Sequence, residues 1–217
     1  MRIPLAKYGV AQILVFGGAA AAGTVVSAVF WWYAAPVFAA ALAFVLYFFR
    51  DPSRRVPDGP GLLLAPADGR VVEVSDVAED EFLRTRASKI AIFMSPLNVH
   101  VNRVPCDGRV ETLAYRPGKY HNASTDAASA ENEAMVMVLA DVEGRTRVLV
   151  RQVAGVMARR IVCRANEGDR LRRGERYGMI KFGSRVEVFV PADAGFEPAV
   201  APAQAVRAGE TVLGRFR

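Results

Sequence analysis

Between Lys7 and Arg50 lie 42 consecutive residues, Tyr8 to Phe49, without a charged side chain. No other stretch limits the fold as tightly. As a single helix the run would extend about 63 Å at about 1.5 Å per residue, twice the ~30 Å hydrocarbon layer of a bilayer. Two shorter spans fit, and the pattern predicts helices near 10–31 and 35–49. The break falls in Trp31-Trp32-Tyr33-Ala34-Ala35-Pro36, where aromatic side chains suit a membrane interface and Pro36 suits a helix start. Arg2 and Lys7 before the run, and Arg50, Arg54 and Arg55 after it, then share one side. The positive-inside rule makes that side the cytoplasm. A cleaved signal peptide would be shorter, and a buried hairpin of a soluble protein would carry charges along one face.

The rest of the chain has a different character. Residues 51–61 are rich in Pro and Gly and read as a linker, so the expected organisation is an anchor over 1–50, a linker over 51–61 and a domain over 62–217. Three of the 28 Lys and Arg lie in the first 50 residues, which leaves 25 against 22 Asp and Glu. Charge so nearly balanced argues against a nucleic-acid partner. Cys106 and Cys163 stand alone, without the spacing of a disulfide framework or a metal site, and read as buried small hydrophobes.

Residues 62–74 read as strand, turn and strand, with Asp68-Gly69 at the turn. Further strands are expected over 89–94, 109–115, 134–139 and 147–153, and two more across 179–191. Short strands with many turns, and no long amphipathic helix, indicate a mainly β fold with one short helix at most. Gly168-Asp169-Arg170-Leu171 and Gly209-Glu210-Thr211-Val212 repeat a Gly-acid-x-hydrophobe pattern. That repeat resembles lipoyl-type domains, so the expected fold is a lipoyl-like (barrel-sandwich hybrid) β-barrel. A carrier lysine in a Met-Lys setting is not evident, since Lys181 lies just before Phe182-Gly183-Ser184.

The Gly183-Ser184 corner is where chemistry can arise. Ile180 and Phe182 lead into it, and Val186, Val188 and Val190 alternate with polar residues on the way out. Glycine admits backbone conformations that other residues resist, and the serine hydroxyl lies close to the preceding carbonyl. Attack by that hydroxyl would turn the amide into an ester. Elimination and hydrolysis would then leave a pyruvoyl group, whose ketone forms Schiff bases with amines and accepts electrons. Most Gly-Ser pairs are plain turns. The two histidines, His100 after a strand and His121 in a polar loop, are the groups that ordinarily titrate near neutral pH. Asp68 sits in an Ala-Pro-Ala-Asp-Gly turn, where a plain turn role is the bland alternative. Ser184 is followed by Arg185-Val186, so it lacks the Gly-x-Ser-x-Gly elbow, and neither a Walker loop nor a His-Glu-x-x-His helix occurs.

Taken together, these pieces resemble short, membrane-anchored proenzymes of the phosphatidylserine decarboxylase family. The likeness runs in order through Phe-Phe-Arg-Asp-Pro at 48–52, Ala-Pro-Ala-Asp-Gly at 65–69 and Met-Ser-Pro-Leu-Asn-Val-His-Val-Asn-Arg-Val-Pro at 94–105. It continues through Glu131-Asn132-Glu133, Gln152-Val153-Ala154-Gly155, Ala158-Arg159-Arg160-Ile161 and Phe182-Gly183-Ser184. The resemblance implies cleavage between Gly183 and Ser184, a β chain of 1–183 and an α chain of 184–217. It implies a pyruvoyl group made from Ser184, a Schiff base with the serine amine of phosphatidylserine, and phosphatidylethanolamine as product. It places an assisting carboxylate at Asp68 and an assisting histidine at His100.

Long forms of the family carry a second histidine three residues after the first, and here that position is Arg103, which leaves the base for self-cleavage open. Long forms also read Leu-Gly-Ser-Thr where this chain has Phe-Gly-Ser-Arg, so the residue after the serine is not expected to matter for the chemistry. We expect Asp68 to hold the His100 ring, and Arg103 and His121 to contact substrate. The implied partners are phosphatidylserine, the lipid bilayer and the two chains of one precursor, at the inner membrane with the catalytic domain in the cytoplasm; a homo-oligomer stays open. The arginines at 159, 160, 164, 170, 172, 173 and 176 would face anionic headgroups or form a solvated mixed-charge surface. Two rival readings are a membrane-anchored adaptor that is never cleaved and the same decarboxylation on another serine phospholipid.

Overall fold

A computed structural model of the chain describes residues 5–141, 146–156, 161–181 and 183–217, the side chain of Asp126 excepted. The chain divides into two compact units, Met1–Ser53 and Arg54–Arg217.

The first unit holds both expected helices. Helix α1 (Lys7–Phe30) has 24 residues and a mean hydropathy of 2.1. At about 36 Å it is long enough to cross a bilayer. Helix α2 (Ala35–Phe48) has 14 residues with Pro36 in its first turn, and at about 21 Å it falls short of the ~30 Å layer. Gly23 makes room for Phe38, since a Cβ there would lie 2.5 Å from the ring. The hydroxyls of Thr24 and Ser27 donate to the carbonyls of Ala20 and Gly23, so neither brings an unpaired donor to an apolar surface. Leu14, Val15, Phe16, Val29 and Phe30 point outward.

The second unit is mainly β. Its largest sheet runs, all antiparallel, in the order β13 (Ala205–Val206), β2 (Gly69–Glu79), β3 (Thr85–Met94), β11 (Ser184–Pro191), β7 (Arg147–Val153), β6 (Ala134–Ala140), β5 (Gly108–Arg116) and β9 (Arg170–Leu171). Two three-stranded sheets complete it: β1 (Leu62–Leu64), β14 (Val212–Phe216) and β12 (Phe196–Pro198) in the order β1-β14-β12, and β4 (Val101–Arg103), β10 (Arg176–Ile180) and β8 (Ile161–Cys163) in the order β4-β10-β8. The short helix is α3 (Asp126–Glu131).

The strand periodicity reads true, but one pairing does not follow from it. Residues 62–64 and 69–79 are both strands, yet β1 pairs with β14 while β2 pairs with β3 and β13. The Asp68 carboxylate accepts the Ala208 amide across the turn, so the chain changes sheet there instead of folding back on itself. Gly168 and Gly209 take positive φ of 90° and 71°, so the repeated Gly-acid pattern forms two left-handed turns. The likeness to lipoyl-type domains rests on those turns.

Strand β11 lies at the centre. Val186, Val188 and Val190 enter one core with Ile90, Ile92, Met137, Val148 and Val150. On its other face Phe189 packs with Leu83, Val136, Val138 and Leu149. Both faces are therefore covered, and the polar residues of the alternation, Arg185 and Glu187, are buried at 1% and 0% exposure.

Candidate active site

The corner forms as the sequence suggests. Strand β10 ends at Ile180, Gly183 turns the chain in the left-handed region at φ +64°, and Ser184 opens β11 opposite Met94, the last residue of β3. Ser184 is fully buried, and its hydroxyl donates to the Met94 sulfur at 3.4 Å. A thioether is a weak acceptor, so the hydroxyl is only lightly held.

The Gly183 carbonyl has a close neighbour. A Cβ on Gly155 would sit 2.2 Å from the Gly183 oxygen, 3.2 Å from its carbon and 3.1 Å from the Ala123 Cβ. Only a residue without a side chain lets the strand end at 155 approach that carbonyl. The approach is braced by Asn132, fully buried, whose side-chain amide donates to the carbonyls of Ala154 at 2.8 Å and His121 at 2.9 Å. The amide of Ala154 donates to Glu133. Two motifs far apart in sequence thus fix one peptide plane.

His100 is fully buried just before β4. Its Nδ1 lies 2.9 Å from the Asn98 carbonyl, and a carbonyl only accepts, so Nδ1 carries a proton, and a neutral ring with that bond has its lone pair on Nε2. The His100 carbonyl accepts from the Ile180 amide, which ties this segment to the strand leading into the corner. Two residues on, Asn102 reaches the same Met94 sulfur from 3.8 Å and accepts from Gln152 at 2.8 Å. Ser184, Met94, Asn102 and Gln152 thereby form a buried polar cluster, in which Gln152 Oε1 lacks a hydrogen-bond partner among the described residues.

Asp68 is placed elsewhere than expected. Both its oxygens accept from Arg54 Nη2, at 2.9 and 2.8 Å, and one also accepts from the Ala208 amide. The Asp68 carboxylate is thus committed to Arg54, and the His100 ring is oriented by the Asn98 backbone in its place. Arg54 also reaches Glu210 at 3.3 Å, and Val56 packs at Gly174, so a stretch that reads as free linker is docked on the β unit. Arg103 is 5% exposed and donates to the Gly174 carbonyl, a strut between two turns. His121 is half exposed and its Nε2 lies 3.1 Å from Glu131, which also accepts from Lys119. Among the surface arginines, Arg164, Arg170, Arg172 and Arg176 are exposed and Arg173 partly so. Arg159 and Arg160 lie outside the described residues, as does Phe182.

The reverse face of β11 carries charge that sequence reasoning passed over. Glu187, fully buried, meets Arg151 at 2.6 Å, Arg185 at 2.7 Å and Lys89 at 3.5 Å. Lys89 and Arg185 also hold Glu73. Burial alone would push the Glu187 carboxyl up, but the charges of Arg151, Lys89 and Arg185 outweigh it and hold the group below its ordinary value. Glu73 is likewise lowered: partial burial opposes ionisation, and the hydrogen bond from Lys89 leads the groups that overcome it. A basic residue directly after the serine, with an acid two further on, was the one available signal.

Comparison with known proteins identifies the family. The phosphatidylserine decarboxylase family profile matches residues 41–214. A protein of Oleidesulfovibrio alaskensis named phosphatidylserine decarboxylase proenzyme is 50% identical over 177 residues, 82% of this chain and 79% of that protein. One of the same name from Syntrophus aciditrophicus is 41% identical over 212 residues, 98% of this chain and 97% of the relative. A third, from Cupriavidus metallidurans, is 50% identical over 170 residues, 78% and 77% of the two chains. With the match running through the corner, its glycine neighbour and the histidine segment alike, the chain belongs to the phosphatidylserine decarboxylase family.

Proposed function

We propose that this chain is the proenzyme of a phosphatidylserine decarboxylase, which cleaves itself between Gly183 and Ser184 and converts phosphatidylserine to phosphatidylethanolamine in phospholipid biosynthesis. One observation carries the reading: a fully buried serine opens the central strand directly after a left-handed glycine whose carbonyl is lodged against Gly155. In the self-cleavage, Ser184 Oγ bonds to the Gly183 carbonyl carbon as the C–N bond breaks, giving an ester. Loss of the Ser184 α-proton then frees Gly183 as a carboxylate and leaves a dehydroalanine, whose hydrolysis releases ammonia and completes a pyruvoyl group at residue 184. The site fits that group, because position 184 sits against the Met94 sulfur, and Asn102 and Gln152 follow behind it in a hydrogen-bonded chain of groups that do not ionise at neutral pH. Such a group supplies a ketone that condenses with a primary amine and takes up the electron pair left by a departing CO2.

The chain's own residues have separable tasks. Gly155 and the Asn132 brace hold the carbonyl for attack. His100, with its lone pair on Nε2, accepts a proton during scission and returns one to the product carbon. Asp68 fixes Arg54 and the turn at Ala208, and so acts at a distance from the reacting atoms.

We further assign residues 1–50 to a membrane anchor of two spans, 51–61 to a connection and 62–217 to the decarboxylase domain, with the domain in the cytoplasm at the inner membrane. The exposed apolar length of α1 supports this, and α2 would need help from Phe49 and its flanks to complete a second span.

Intact mass of the purified protein tests the central claim. The parent should arrive as chains 1–183 and 184–217, the smaller labelling with a hydrazine, whereas Ser184→Ala should remain one chain of 23.5 kDa. Two fragments from Ser184→Ala would sink the mechanism, and a single chain from the parent would favour an uncleaved adaptor.

A further inference from the structure

On the face of β11 opposite the Ser184 side chain, a cleft of about 580 Å³ opens between the outer face of β2, β3, β11 and β7 and the segment that leads into α3. Its cationic lining is Lys89, Arg116, Arg151 and Arg185, with Ser124 and Ser129 supplying hydroxyls. Against these four cations the described side chains set two carboxylates, Glu73 at the rim and Glu187 buried beneath. Arg116 spends its described hydrogen bonds on neutral acceptors, the carbonyls of Ser129 and Ala130, so its charge adds to the excess. Two positive charges are left over, in a concave site that takes an anion better than a neutral group.

The cleft is also in the right place. Arg185 is the next residue after Ser184, and Ser124 adjoins Ala123, which packs at Gly155 beside the Gly183 carbonyl. In a serine phospholipid the amine and the phosphorus are four bonds apart, about 5 Å, while adjacent Cα atoms are about 3.8 Å apart. That reach is of the order of the step from residue 184 to residue 185, so a lipid whose amine meets the α-carbon of residue 184 at the strand end can bring its phosphate to the Arg185 end of the cleft. We propose that Lys89, Arg116, Arg151 and Arg185 form the subsite for the phosphodiester of the substrate headgroup, an inference that rests on the decarboxylase reading. Glu73 and Glu187 hold the guanidinium and ammonium groups in place, so the site is organised before the ligand arrives.

The test uses the uncleaved Ser184→Ala chain, so that binding is read without turnover, and water-soluble glycerophosphoserine as probe, by calorimetric titration. Glycerophosphoserine and glycerophosphoethanolamine should bind comparably, free serine at least tenfold more weakly, and inorganic phosphate should compete. Raising NaCl from 50 to 500 mM should weaken binding severalfold by screening. Adding Arg116→Gln should weaken the probe about tenfold, and Arg116→Lys should restore most of it. In the processed enzyme, Arg116→Gln should raise KM for a short-chain phosphatidylserine about tenfold, with kcat changed far less. The proposal is overturned if serine binds as well as the diester, or if Arg116→Gln leaves both the Kd and the KM at parent values. Should Arg116→Gln fail to fold, the headgroup series and the salt dependence decide alone. If the probe binds as described but the cleaved parent releases no CO2 from the lipid, the cleft stands and the decarboxylase reading falls.

Discussion

Under the proposed self-cleavage, replacing Gly155 with alanine should block scission more severely than replacing Gly183, although Gly183 is the residue whose peptide bond would break. The added Cβ at 155 would lie 2.2 Å from the Gly183 oxygen and 3.1 Å from the Ala123 Cβ, so either the carbonyl or the strand end must move by about 1 Å to reach ordinary contact distance. A misplacement of that size at a reacting centre costs about a hundredfold in rate, and overpacking of this kind costs about 1–3 kcal/mol in stability. At Gly183 the contrast is plain. A Cβ there meets nothing within 4 Å among the described residues, and the cost is the left-handed φ of +64°, about 1–2 kcal/mol for a non-glycine residue, with the carbonyl left where it is. The assay is a pulse-chase time course by intact mass for both variants, with a thermal melt of each to show that the fold persists. Expected are a Gly155→Ala precursor that is folded yet matures about a hundredfold slower, and a Gly183→Ala precursor slowed less. A Gly155→Ala chain that matures at the parent rate would refute the argument that this contact positions the carbonyl.

Other outcomes follow from the same geometry. His100→Ala should abolish most CO2 release from serine-labelled lipid whether or not scission proceeds, and parent turnover in that variant would remove His100 from the proton path. Asp68→Asn should leave the buried Arg54 guanidinium short of its carboxylate and lower stability by roughly 3 kcal/mol in a urea melt, the low end for breaking such a pair because Glu210 remains. His121→Ala should leave maturation near the parent rate, since the ring is half exposed and pairs with a solvent-facing carboxylate; a maturation block on the gel would contradict this. Because the Glu187 carboxyl is held below its ordinary value of 4.5, its contribution to stability is complete above that pH and is lost as the pH falls through the lowered value. Glu187→Gln should therefore be less stable at pH 7 and lose less on acidification, and parallel pH curves for the two proteins would exclude the linkage.

Strand β11 shows what periodicity can and cannot announce. The alternation of Val186, Val188 and Val190 identified the strand and one core-facing side, because an apolar residue at every second position has one economical placement in a sheet. The alternation says nothing of what covers the side that carries Arg185 and Glu187. A covering segment from far away in sequence buries the second face, and the ion pairs that make that burial tolerable join residues 73, 89, 151, 185 and 187, drawn from four strands. Nothing local in the sequence encodes which cations will meet which acids. Asp68 teaches the same lesson in smaller compass: its motif was visible, but its partner Arg54 belongs to a Pro- and Gly-rich stretch whose docking depends on Glu210 near the other end of the chain. Gly155 was legible only as part of a motif, since the reason for a glycine there is the carbonyl of residue 183. The two faces of β11 then acquire different duties. The inner face at residue 184 meets the Met94 sulfur and, beyond it, the uncharged Asn102 and Gln152, a setting that suits the proposed hydroxyl attack and ketone, while the outer face from residue 185 gathers charge that an anionic headgroup can meet. A strand's two-residue period places those opposed environments on consecutive residues, and cleavage between 183 and 184 would free the end of the chain at the boundary between them.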